Sequence, residues 1–119
     1  MKSYSSISFR SALSLEELAT RVGLNPVEFD AENEDEWALG TLGVFDDIDI
    51  ARTHLVPPSE TRTSVCRYTG DPDRSMPVET LRCIYGALRE KATEFEVHGI
   101  DSMGNRFKLE ADEVERLCA

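Results

Sequence analysis

Apolar and polar side chains alternate at a period of two in four separate stretches of this chain. Ile7 and Phe9 alternate with Ser6, Ser8 and Arg10, and Ile48 and Ile50 with Asp47 and Asp49. Phe95 and Val97 alternate with Glu94 and Glu96, and Phe107 and Leu109 with Arg106 and Lys108. Successive side chains of a strand point to opposite faces, so each stretch reads as a strand with one buried and one water-facing side. A sheet that is wet on one face is characteristically antiparallel.

Helical signals are fewer. In SLEELATRVGL, Ser14 and Glu17 have the spacing of a capping box, in which each side chain satisfies an orphan amide of the other residue. Leu13 and Leu18 flank the cap as a hydrophobic staple, Leu15, Leu18, Ala19 and Val22 share a face, and Gly23 fits a left-handed stop before Asn25-Pro26. A second helix is predicted over 77–92, with Pro77 in the first helical position, Glu79 in the first turn, and Arg89 and Lys91 in the last. Val78, Leu81, Ile84, Tyr85, Leu88 and Ala92 trace its apolar face. The tail, EADEVERLCA, reads as a short closing helix through Val114, Leu117 and Cys118.

Between these elements, Val27 and Phe29 begin a strand that the following acids are expected to end. WALGTLGVF suggests strands with a turn or bulge between Gly40 and Gly43, TRTSVCRYT reads as a strand, and GDPDRS as a turn. Helices too few for repeated βαβ units, with strands joined by hairpins, predict an α+β fold. It is a single domain over residues 1–119, a mainly antiparallel sheet carrying two to three helices. With 40 % apolar and 30 % charged residues the composition suits a globular core. No apolar run approaches the ~18 residues of a membrane span, and the opening MKSYSSISFRSALSLEE lacks the apolar core of a signal peptide. Cys66, Cys83 and Cys118 form an odd, scattered set with no CxxC pair, so reduced and mostly buried thiols in a cytoplasmic protein are expected.

Charge restricts the partners. The formal net charge is −10, and ten of the thirteen basic residues are arginines spread along the chain. A polyanion such as nucleic acid, or an anionic membrane, is a poor match for that surface, whereas a cationic partner is favoured. Between Arg21 and Arg52 the chain has nine carboxylates and no Lys or Arg. Such a segment either keeps a protein soluble or faces an oppositely charged surface. Glu32, Glu34, Asp35, Glu36, Asp46, Asp47 and Asp49 bracket Trp37, Leu39, Leu42 and Phe45. An apolar patch inside an acidic rim has the composition of a binding hot spot with steering charges around it. Trp37, the only tryptophan, is either the anchor of that patch or part of the core.

The usual chemistries find little support. His54 and His98 have no nucleophile at a motif spacing and read as surface or edge histidines. Asp71, Asp73 and Ser75 match the first ligands of a calcium loop, but Met76 replaces its glycine and Arg82 its bidentate glutamate, so no metal is expected. Glycine-rich phosphate cradles are missing, and no cofactor is expected. Paired carboxylates for glycoside hydrolysis have no sequence form. The chain is therefore expected to bind rather than catalyse.

The size, the acidity and the opening pattern YSSISFRSALSLEELATRVGL, a strand followed by a capped SLEELA helix, resemble immunity proteins that neutralise polymorphic or contact-dependent toxins of bacteria. That resemblance implies a small cytoplasmic α+β protein, a monomer or weak dimer, whose acidic surface blocks a basic toxin domain such as a nuclease. Two rivals come from other classes. An acidic secretion chaperone would dimerise through a helix such as 77–92, whose single apolar face the core already needs. A small enzyme would require one of the weak constellations above to be real.

Overall fold

The computed structural model describes residues 2–67 and 74–119. The chain runs β1 (Ser3–Arg10), α1 (Leu15–Val22), β2 (Val27–Glu32), β3 (Asp35–Leu42), β4 (Phe45–Thr53) and β5 (Thr63–Arg67). It continues with α2 (Val78–Leu88), β6 (Thr93–Ile100), β7 (Arg106–Leu109) and α3 (Ala111–Cys118). All seven strands form one sheet in the order β2-β3-β4-β5-β1-β6-β7, and every neighbouring pair is antiparallel. The expected α+β class is what the chain adopts, with three α-helices and a short 3-10 turn (Pro58–Glu60) among the described residues.

The positions of two helices follow from strand direction. Alternating directions along the sheet leave β1 parallel to β2, and β5 parallel to β6. Parallel strands cannot be joined by a hairpin and need a crossover, and α1 and α2 supply it. The helices touch in series, α1 to α2 to α3, and cover one face of the sheet. Ile7, Phe9, Ile48, Ile50, Val65 and Val97 of that face are fully buried beneath Leu18, Leu81, Ile84, Leu88 and Val114. Each such side chain contributes about 1.5–3 kcal/mol by leaving water. The aromatic rings of Phe9 and Tyr85 flank Phe95, at centroid distances of 5.5 and 4.9 Å.

Local signals explain α1 in full. The Ser14 side chain accepts from the Glu17 amide at 3.1 Å, the Glu17 carboxylate accepts from the Ser14 amide at 3.1 Å, and Gly23 stops the helix at φ 90°. Those hydrogen bonds hold the Glu17 carboxyl below its ordinary value.

Three expectations are corrected. The acids of residues 28–36 do not end a strand but build two: β2 runs through Glu32 and β3 begins at Asp35. Helix α2 is shorter than its apolar pattern, because Pro77 is its N-cap and the chain leaves the helix after Leu88, with Arg89 as C-cap. The Ser11 hydroxyl donates to the Lys91 carbonyl at 2.7 Å, fixing the segment that enters β6. The cysteines are all free thiols, but only Cys118 is buried; Cys66 is half-buried and Cys83 exposed. The predicted strand end at Tyr68 and Thr69, and the turn with Asp71 and Asp73, lie outside the described residues.

Candidate functional site on the uncovered sheet face

The register of the ladders aligns the polar halves of the alternating strands. One row across the uncovered face reads Glu28, Leu39, Asp49, Cys66, Ser6, His98, Lys108 from β2 to β7. The adjacent row reads Asp30, Trp37, Ala51, Ser64, Ser8, Glu96. A third pair, Glu32 opposite Asp35, closes the β2–β3 hairpin. The face is therefore polarised: carboxylates gather on β2 and β3, and cations at Arg62, just ahead of β5, and at Lys108 on β7.

At the cationic end the charges neutralise one another. Glu96 receives Arg62 at 3.7 Å and Lys108 at 3.8 Å, with the His98 ring Nε2 3.5 Å away, and Lys108 also reaches Glu110 at 3.1 Å. At the acidic end, by contrast, Glu28, Asp30, Glu32 and Asp35 have no ion pair among the described residues.

Between the two ends lies an open groove of about 510 Å³. Trp37, Leu39, Ala51 and Asp49 line its β3–β4 side, Glu32 and Asp35 its acidic margin, and Ser64 and Arg62 its far wall. Asp49 is only 9 % exposed, and its Oδ1 has no hydrogen-bond partner among the described residues. Burial pushes its carboxyl above the ordinary aspartate value, because a charge is poorly solvated there. The two arginines bordering the groove are already engaged. Arg62 donates to the Ser8 hydroxyl at 3.2 Å and to the Glu94 carbonyl, on the β1–β6 side. Arg52 turns to the helix-covered face, where it meets Glu36 at 2.9 Å and the Leu13 carbonyl at 2.9 Å.

The structure thus separates the acids that sequence proximity had grouped. Glu32, Asp35, Asp49 and Trp37 come together at the groove. Glu34 occupies the hairpin turn, where its carbonyl accepts from the Thr53 hydroxyl and the His54 amide, both at 2.9 Å. Glu36 is on the opposite face and paired with Arg52, and Asp47 is paired with Arg67 at 3.2 Å, so neither is a free charge. Asp46 is exposed at the start of β4. Asp49 was expected to face water and is instead buried. Leu42 and Phe45 are not part of the patch with Trp37: both pack against the core, and the Arg67 guanidinium lies 4.6 Å from the Phe45 ring centre. Trp37 is half-buried and outside the core cluster.

Arg62 and Ser64 were not expected at the site. Only strand order brings them there, and the β-forming residues that mark β5 as a strand carry no information about its neighbours. Among the described residues no three His, Cys, Asp or Glu side chains converge as metal ligands would. No helix among the described residues is long and apolar enough to cross a membrane. Comparison with known proteins finds no matching family and no significantly similar curated sequence or solved structure.

Proposed function

We propose that this chain is an acidic binding module that neutralises a basic protein partner, in the manner of a cytoplasmic immunity protein that blocks a cationic, nuclease-type toxin domain. The observation that carries this reading is the set of carboxylates Glu28, Asp30, Glu32 and Asp35, without an ion pair among the described residues, on the same sheet face as half-buried Trp37. Leaving like charges opposite each other, as Glu32 and Asp35 are, costs stability in the isolated protein. A cationic partner recovers that cost and is steered toward the face by its field. Trp37 supplies the apolar contact that slows dissociation once the charges have aligned the two proteins.

The test is co-expression with the product of the adjacent reading frame, followed by purified association measurements. The expected result is a complex whose formation slows with salt and slows further when Glu28, Asp30, Glu32 and Asp35 are replaced by their amides. A partner that binds the fourfold variant at an unchanged rate overturns the assignment of this face.

A further inference from the structure

We infer that the groove beside Asp49 is a socket for one arginine side chain of the partner, with the Asp49 carboxylate as its acceptor and Trp37 as the surface on which the guanidinium packs. This rests on the reading of the chain as a module for basic proteins, and it names the chemistry of the contact.

Asp49 sets this groove apart from the other acidic positions of the face. A buried acceptor without a partner is costly in a folded protein, and a buried carboxylate more so. Here that carboxylate lines a groove open to solvent, with one oxygen buried and without a partner among the described residues. The two arginines that line the groove are committed elsewhere: Arg62 to Ser8, Glu94 and Glu96, and Arg52 to Glu36 and Leu13. Cys66, directly opposite Asp49, is a thiol and supplies no positive charge. After these pairings the groove retains the negative charges of Asp49, Glu32 and Asp35.

The lining also selects the kind of cation. Trp37 sits opposite Ala51, and so diagonally across the β3–β4 ladder from Asp49. Such diagonal neighbours are about 7–8 Å apart, within reach of an aromatic ring. A guanidinium is planar, weakly hydrated, stacks on aromatic faces and pairs with carboxylates, whereas an ammonium holds its water more tightly. Leu39 and Ala51 offer apolar contact to the alkyl stem. Small ligands of this kind bind weakly alone, and the socket gains strength within a larger interface.

Trp37 is the only tryptophan, so its fluorescence and indole NMR signal report on the groove directly. The full chain is titrated with N-acetyl-arginine amide, with its uncharged citrulline counterpart, and with N-acetyl-lysine amide. A parallel titration uses an arginine heptapeptide at low salt. The arginine amide is expected to shift the Trp37 signal saturably, the lysine amide more weakly, and the citrulline amide not at all. Asp49→Asn, which removes the charge without changing the shape, is expected to weaken the arginine amide by about tenfold or more while the variant remains folded by circular dichroism. Equal binding by citrulline, equal binding by Asp49→Asn, or no saturable Trp37 response overturns the socket. A lysine amide as tight as the arginine amide overturns the guanidinium assignment. If the heptapeptide still binds Asp49→Asn as well as the native chain, the socket fails and the acidic module stands. If the heptapeptide does not bind the native chain at low salt, the module itself fails.

Discussion

Asp49 and Cys66 stand directly opposite each other across the β4–β5 ladder, and both acids are pushed toward their neutral forms. Burial is the cause for Asp49. For Cys66, burial comes first and the neighbouring Asp49 charge second, with Arg74 opposing and Asp47 assisting. The uncovered face therefore holds a carboxylate at a cost to the fold, which has consequences for stability and reactivity.

Asp49→Asn should make the isolated protein more stable at neutral pH, by about 1 kcal/mol, since removing a poorly satisfied buried charge relieves its desolvation. The pH dependence has a definite sign. A carboxyl raised in the folded state holds its proton longer there than in the unfolded chain, so stability falls as pH rises from the ordinary aspartate value through the raised one. Denaturant titrations of both proteins should show the advantage of the variant fully present above that window and vanishing below it. A variant less stable at neutral pH would mean that Asp49 has a structural partner.

The thiols should react in order of exposure and ionisation. Cys83, on the outer side of α2, should be alkylated first in the native protein, with Cys66 and Cys118 slow because burial raises both. Mass spectrometry of time points with iodoacetamide reads this order. Asp49→Asn should accelerate Cys66 selectively, and denaturation should make all three thiols equivalent.

Arg52 should matter for folding and not for partner steering. Its side chain is 3 % exposed and ties Glu36 of β3 to the Leu13 carbonyl ahead of α1. Arg52→Ala should cost about 2–4 kcal/mol by stranding those acceptors, measured by urea denaturation. Glu36→Gln keeps an acceptor for the guanidinium and should cost less. Neither change should alter the salt dependence of association, in contrast with Glu32 and Asp35.

Replacing Glu32 by Gln and Asp35 by Asn should leave stability within about 0.5 kcal/mol, or raise it slightly, because two like charges stop facing each other. The same pair of changes should slow association with a basic partner, with a loss of up to about tenfold at low salt that disappears at high salt. Stopped-flow measurements at several ionic strengths separate this from Trp37→Ala, which should act on dissociation.

Much of the architecture could be read locally. Ser14, Glu17 and Gly23 specify α1 by contacts within the helix itself, and Ile48 and Ile50 reveal the buried side of β4 by alternation alone. The acidic hairpin is not legible locally because Asp and Glu are poor strand formers, and pairing of β3 with β4 overrides that preference. The site was half legible. Glu32, Asp35, Trp37 and Asp49 lie in the acidic segment, but the division of that segment between two faces depends on register. Glu36 and Trp37 are adjacent in sequence and lie on opposite sides of the sheet. Arg62, on the far wall, reaches the groove from just ahead of β5, a strand that only the complete topology places there.

Strand β2 is the last in the sheet, and its outer edge is unpaired among the described residues. An open edge of this kind is a template on which further strands can add. Every second residue along it, Glu28, Asp30 and Glu32, is acidic and exposed. Two copies aligning edge to edge would bring six like charges into one seam, so the feature proposed to attract a basic protein would also keep molecules of this chain from polymerising. Replacing the three together, Glu28→Gln, Asp30→Asn and Glu32→Gln, removes that repulsion while leaving the edge in place. Filaments built by β2-to-β2 growth are the expected fate of that variant, and restoring charge with Asp30→Lys in the same background should prevent them.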